Sequence, residues 1–431
     1  VRVQYGGSGQ LLSALQLARR GDLFLTGDTS YLEDGRQKGI VQEVIPLAHL
    51  TPGILLPRGN PKGLRSLADL SRPEIRVALA NPDQTAIGKA LRRRLGQDGL
   101  WDPLAKRAAV FKPTVNELAN DVKLGSADAA IVWDATAAQY PGLVFLRQPI
   151  LDEIKDQVAV GVLSYSQQTA TALRLARYLA ARDRGAEIFK KCGYQALAGD
   201  AWAPTPEILL YSGALNRPAI DETLNRFEAR EGCRIKRVYN GCGILVAQMK
   251  TGQWPDAYLA CDVTFVTPVA ERFGPATPIS ATDIILAVPK GNPGKLGGLA
   301  DLPREGLRVG VANAEQSTLG ALTRTLLEKH QLLPQTMRNV RAQTPTADML
   351  VNQLLLGSLD VVVVYEANLA QVKDKLDLVR LESARAVQPF AVGRNSEHPQ
   401  LAGRLLEAIL DQPSKAHYQA LGFHWLAAPA R

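Results

Sequence analysis

The sequence predicts two tandem α/β domains, and three observations lead there. The chain repeats itself: Tyr5-Gly6-Gly7-Ser8-Gly9-Gln10-Leu11 returns as Tyr239-Asn240-Gly241-Cys242-Gly243-Ile244-Leu245, an offset of 234 that holds through Asp22/Asp256 and Asp28/Asp262. Further on the offset settles at 232. Pro57-Arg58-Gly59-Asn60-Pro61 then matches Pro289-Lys290-Gly291-Asn292-Pro293, and Leu124-Gly125-Ser126-Ala127-Asp128 matches Leu356-Gly357-Ser358-Leu359-Asp360. A period above 200 residues means whole domains, not solenoid units. Each copy also alternates strand-like and helix-like runs, which predicts parallel α/β sheets. Finally, Val361-Val362-Val363-Val364 is a continuous apolar run, as expected of a strand buried on both faces.

The expected domains are residues 1–198, a linker at 199–206, and residues 207–431. The stretch from Ala196 to Pro206 is small, Pro-containing and weakly patterned, as linkers are. Copy two opens with a strand over Glu207–Tyr211, the loop Ser212-Gly213-Ala214-Leu215, and a helix with Pro218 in its first turn. Its later strands are expected near 235–239, 256–260, 283–289, 307–312, 360–365 and 389–392. Copy one has no counterpart to the opening unit. Its Val1-Arg2-Val3 aligns with Ile235-Lys236-Arg237 and is expected to be a strand. The first strand and helix of copy one are therefore expected to be missing from this chain. The lack of a visible signal peptide is then uninformative.

The most organised stretch is Asn313-Ala314-Glu315-Gln316-Ser317-Thr318-Leu319-Gly320. An apolar strand precedes it, and a helix follows with Leu319, Leu322, Leu326 and Leu327 at helical spacing. Its echo is Asn81-Pro82-Asp83-Gln84-Thr85-Ala86-Ile87-Gly88. A strand, a polar turn and a helix start form an anion pocket, because free N–H groups and the helix dipole both favour negative charge.

Composition excludes several classes. A 46% hydrophobic and 21% charged chain is ordinary for a globular protein. No apolar run approaches the roughly 18 residues of a membrane span. The net charge of +8 is dispersed, apart from Arg92-Arg93-Arg94, and aromatic residues are only 6%. Both features argue against a nucleic-acid partner. The four cysteines (Cys192, Cys233, Cys242, Cys261) lack zinc spacing, and the five histidines include no pair at metal-ligand spacing. No cofactor or metal is expected. Glycine-rich nucleotide fingerprints and P-loops are absent. His330, His398, His417 and His424 lie outside the repeated motifs, and His49 has no repeat partner, so no nucleophile–base–acid set is visible. The chain reads as a binding protein, not an enzyme.

These motifs, in this order and twice over, resemble the periplasmic molybdate/tungstate-binding proteins of ABC importers, a branch of the type II solute-binding proteins. The resemblance is carried by Tyr5–Leu11, Gly21–Asp28, Pro57–Pro61 and Gly125–Trp133, and in copy two by Tyr211–Leu215, Pro255–Asp262 and Gly357–Tyr365. It implies two tandem type II periplasmic-binding domains, each of two α/β lobes around a ligand cleft. It implies as ligand a tetrahedral oxyanion and as partner a membrane permease of an ABC transporter. The implied location is periplasmic or extracytoplasmic, with anchoring through a missing N-terminus left open.

By the same resemblance, the ligand contacts of copy two fall on Ser212, Gly213, Ala214, Cys242, Gly243, Ser317, Thr318, Tyr365 and Glu366. Those of copy one fall on Ser8, Gly9, Thr85, Ala86, Trp133 and Asp134. There are departures. Copy two has Cys242 where the family favours Ser, and copy one has Trp133 where it favours Tyr. Glu366 and Asp134 put a carboxylate beside the expected anion. Each residue also has a plainer role: tight turns for Gly9 and Gly243, helix caps for Thr85, Ser317 and Thr318, packing for Trp133 and Tyr365, a small buried residue at Cys242, ion pairs for Asp134 and Glu366. A sensor or an assembly module with degenerate clefts is the alternative function.

Overall fold

The computed structural model of the protein describes residues 1–427. The last four residues of the expected second domain lie outside them. The chain divides into two compact units, Val1–Pro204 and Thr205–Arg431. The division falls within the stretch expected to be a linker, but most of that stretch is packed, not free. Asp200 is buried, the Trp202 N–H donates to Asp183 Oδ1 at 2.8 Å, and the Trp202 ring meets Tyr178 edge-on at 5.1 Å. Its small residues read as a tether in sequence. Gly199 in particular must be small, since a Cβ there would lie 1.9 Å from the Ala180 carbonyl oxygen.

Unit two is one sheet of nine strands among the described residues. Glu207–Gly213 lies inside it, parallel to Arg234–Asn240 on one side and Ala257–Leu259 on the other. At the far end Val309–Ala312 is parallel to both Val340–Thr344 and Val361–Tyr365. Two long strands, Thr277–Pro289 and Leu376–Val392, join the ends and run antiparallel to each other. The parallel pairs expected from strand–helix alternation are present at both ends, and antiparallel crossing strands join them. A chain that crosses from one lobe to the other and returns must bring back an antiparallel strand. Leu376–Val392 also extends well beyond the expected start at 389. Its core holds Tyr258, Phe273, Phe390 and Tyr418, all almost fully buried. A buried ion pair ties its outer helices: Arg404 Nε donates to Glu231 Oε1 at 2.6 Å.

Unit one carries the same plan in two separate sheets. One orders Leu23–Thr26, Asp156–Leu163, Val41–Leu50 and Gln195–Ala196, all antiparallel. The other orders Ala108–Lys112, Val77–Ala80, Ala129–Trp133, Pro52–Leu56 and Val144–Leu146, with the parallel pairs at Val77–Ala80. Residues 1–7 form no strand, and Val1, Val3 and Tyr5 are exposed. The expected strand there fails for a simple reason. In unit two the equivalent strand hydrogen-bonds to Glu207–Gly213, and no such partner exists in unit one of this chain.

Candidate functional site

The site is built where strands of unit two end and helices begin. Three helices start around one cleft: Cys242–Lys250, Thr318–Lys329 and Ala347–Leu355. Each first turn holds N–H groups with no partner inside its own helix, at the positive end of the dipole. Glycine makes the approach possible. A Cβ on Gly241 would lie 2.2 Å from the Gln316 carbonyl oxygen, and one on Gly243 2.0 Å from that of Glu315. The turn 313–316 holds its shape because Asn313 Oδ1 accepts from the N–H groups of Glu315 (2.9 Å) and Gln316 (3.0 Å).

Of the residues expected in copy two, Ala214, Cys242, Ser317, Thr318 and Tyr365 border this cleft. Thr318 Oγ1 and Tyr365 Oη are buried without a hydrogen-bond partner. Unpaired buried hydroxyls are costly, so their presence at a cleft points to a ligand that pairs them. Burial, with the nearby Cys261, Cys242 and Asp262 groups, holds the Tyr365 phenol well above its ordinary range. It is a donor at any working pH. Ser317 caps its helix by position but makes no side-chain cap bond.

The other expected residues are placed differently. Ser212 is fully buried and its Oγ donates to the Gly213 carbonyl at 3.2 Å. Gly213 sits behind the cleft, against the sulfurs of Cys261 and Cys242. The Gly243 N–H is spent on the Gln316 carbonyl at 3.1 Å. Glu366 is a correction: its carboxylate takes a two-pronged bond from Arg380, at 2.9 and 3.0 Å, and does not border the cleft. The guanidinium fork satisfies the acid, so no carboxylate from this position borders the cleft.

Sequence reasoning missed Cys261, Thr346, Asp348 and Asn368, all of which border the cleft. A signal existed for Thr346: Pro345-Thr346 repeats Pro113-Thr114 at the offset of 232, just before a helix in each copy. Asp348 is the one charged side chain among the described residues bordering the cleft. It is exposed as a residue, yet burial on its cleft side raises its carboxyl pKa, against the Asn368 hydrogen bond and the Arg217 charge.

In unit one the equivalent helices begin at Ser8 and Ala86. Gly9 packs on the Asp83 carbonyl, and a Cβ on Gly7 would lie 2.5 Å from that of Gln84. Ser8 is half-buried and Ala86 buried. Thr85 is spent on its own helix: Oγ1 accepts from the Gly88 N–H at 3.0 Å and donates to the Asn81 carbonyl at 2.7 Å. Trp133 is buried at its strand end. Asp134 accepts from the N–H groups of Ala135 (2.8 Å) and Thr51 (3.3 Å) and from Gln195 Nε2 (2.9 Å). Thr85 and Asp134 are therefore corrected to local structural roles, their polar atoms being already paired.

The model of the family described as bacterial extracellular solute-binding protein matches residues 1–195 and again 208–424. The chain belongs to this family. The family consists of extracytoplasmic solute-binding proteins, and its two matches establish two solute-binding segments of the type II periplasmic-binding fold. The molybdate-binding proteins ModA of Mycobacterium bovis and Mycobacterium tuberculosis are each 27% identical over 197 residues, covering 45% of this chain and 73% of theirs. Among solved structures, the periplasmic molybdate-binding protein of Azotobacter vinelandii aligns at 15% identity, covering 51% of this chain and 99% of that one, with a TM-score of 0.45. The sulfate-binding protein SubI of Mycobacterium tuberculosis aligns at 16% identity, covering 51% and 87%, with a TM-score of 0.46. No helix among the described residues of this family member is long and apolar enough to cross a membrane. No group of three or more His, Cys, Asp or Glu side chains among them is arranged to hold a metal ion.

Proposed function

We propose that the second solute-binding unit captures a tetrahedral oxyanion of the molybdate/tungstate class and presents it, outside the cytoplasm, to the membrane permease of an ABC importer. The observation that carries this reading is the convergence of three helix starts with the unpartnered hydroxyls of Thr318 and Tyr365 on one cleft. Neutral donors at dipole ends hold a small anion without burying a lysine or arginine beside it. The curated relatives' molybdate-binding names support the same ligand class. Lobe closure over the anion is the expected mechanism.

In this reading unit two is the functional copy. The paired states of Thr85 and Asp134 support a structural role for unit one. The proposed contacts are Ala214, Cys242, Ser317, Thr318 and Tyr365, with Thr346 and Asn368 added. Calorimetric titration of the protein with molybdate, tungstate and sulfate tests the reading. One saturable site for molybdate or tungstate, lost in Ser317→Ala combined with Tyr365→Phe, is the expected result. No heat and no thermal stabilisation with any of the three would overturn it.

A further inference from the structure

The thiols of Cys242 and Cys261 share one small space in this cleft. The Cys261 N–H donates to Cys242 Sγ at 3.2 Å. The point where a Cβ on Gly213 would sit is 2.1 Å from Cys261 Sγ and 2.9 Å from Cys242 Sγ, so glycine there leaves the room that both sulfurs occupy. Both thiols are free, both are buried, and both border the cleft. They also occur together. At the offset of 234, their counterparts in copy one are Ser8 and Gly27, so neither thiol has an equivalent there.

The surroundings favour reactivity at one sulfur. Burial alone pushes the Cys242 thiol up. The Cys261 thiol, the Thr318 hydroxyl, the Cys261 N–H and the Tyr258 hydroxyl outweigh it and bring Cys242 below its ordinary value, while Cys261 is held well above. The hydroxyls of Thr318 and Tyr258 are near enough to stabilise a Cys242 thiolate, yet neither makes a bond of hydrogen-bond geometry. Thr318 Oγ1 and Tyr365 Oη remain unpartnered, nine-tenths or more buried, and border the same cleft.

We propose that Cys242 and Cys261 form a dithiol site for a neutral trivalent oxyacid of the arsenite class, held in the cleft of unit two. The inference rests on that cleft being the ligand site. The chemistry is ligand exchange without redox change. Each cysteine sulfur forms a bond to arsenic as one arsenic–oxygen bond breaks. The departing hydroxide takes the thiol proton, so two waters leave and arsenic stays trivalent. The remaining As–OH group faces the Thr318 and Tyr365 hydroxyls, which supply the hydrogen bonds that a bare dithiol lacks. Once the first sulfur is bonded, the second acts at high effective concentration, which selects this ligand over species that bond to one thiol only.

The test uses the intact chain, reduced and desalted without oxygen, with arsenite as the probe. Native mass spectrometry is expected to show one arsenic per chain with loss of two waters, and two fewer titratable thiols. Cys242→Ser and Cys261→Ser, each checked for an unchanged melting transition, are expected to weaken uptake by at least about tenfold. Cys192→Ser is expected to leave it intact. Uptake that persists in the double variant Cys242→Ser/Cys261→Ser, or both thiols staying titratable under saturating arsenite, would overturn the proposal. So would a Cys242–Cys261 disulfide that forms at once and resists the probe, which would make the pair a redox device. Molybdate titration of the same preparation separates the two readings: molybdate heat without arsenic uptake sinks only the dithiol site, and the reverse sinks only the molybdate-class anion.

Discussion

The Gly243 N–H donates to the Gln316 carbonyl oxygen across 3.1 Å, joining the start of one helix to the turn that opens another. This contact ties together two of the three helix starts around the cleft. It is possible only because position 243 has no side chain: a Cβ would stand 2.0 Å from the Glu315 oxygen and 2.9 Å from Gln316 atoms. All of those neighbours are backbone and cannot rotate away. Gly243→Ala is therefore expected to push the two turns apart and cost about 1–3 kcal/mol. Chemical denaturation reads the loss. Anion affinity is expected to fall with it, since the helix starts no longer converge.

Tyr365→Phe is expected to move stability and affinity in opposite directions. The phenol oxygen is buried without a partner, so removing it relieves about 1 kcal/mol of desolvation cost in the ligand-free protein. The same hydroxyl is a proposed anion donor, so molybdate affinity falls by about five- to tenfold. Thermal melts with and without ligand check both signs. A variant that melts lower without ligand would mean that the hydroxyl is satisfied and the cleft differently built.

Much of this architecture is legible in the sequence, and the gaps have physical causes. The repeat and the apolar run Val361–Val364 mark the sheets because burial on both faces demands unbroken apolar residues. Leu376–Val392 was legible only from 389 onward. Its first half carries Asp377, Arg380, Glu382 and Arg385, which read as surface loop but occupy half-buried or exposed positions of a crossing strand. That omission hid Arg380, the partner that takes Glu366 out of the site. The Cys242–Cys261 contact was hidden for another reason. They lie 19 positions apart in the chain, and only the ends of the two strands that flank Glu207–Gly213 bring them together. Thr85 and Ser317 are aligned residues with the same helix-capping position, yet Thr85 accepts from its helix and Ser317 does not. Sequence cannot distinguish those rotamers.

Asp348 gives the proposed anion site an expected pH dependence. Its carboxyl pKa is raised by burial, so it gains a proton at a higher pH than an exposed carboxyl near 4 would. Deprotonated, it repels an anion in the cleft it borders. Molybdate affinity is thus expected to weaken as pH rises through the raised pKa. Asp348→Asn is expected to flatten that dependence and bind about fivefold tighter at neutral pH, the effect of roughly 1 kcal/mol of repulsion in a wet cleft. Calorimetry at a series of pH values checks it. An unchanged slope in the variant would remove Asp348 from the site.

Unit one carries an electrostatic cost that unit two avoids at the equivalent position. By strand register Asp156, opposite Leu50, corresponds to the apolar Ala386, opposite Thr282, with Leu50 and Thr282 related by the offset of 232. Asp156 is buried with Oδ2 unpartnered. Burial, then the neighbouring Asp28 charge, pushes its pKa up to about 7, against Arg93 and Lys89. The folded state therefore holds this proton more tightly than the unfolded chain, whose carboxyl titrates near 4. Its contribution to stability falls as pH rises from about 4 to about 7 and is constant above that. Asp156→Asn removes the charge and keeps the shape. It is expected to stabilise the protein at pH 8 by on the order of 1–3 kcal/mol, less whatever the Arg93 contact contributed, and to have little effect near pH 4. Denaturation at the two pH values reads the difference directly. A destabilised variant at pH 8 would mean that Arg93 and Lys89 hold the carboxylate ionised, and that its burial carries no net cost.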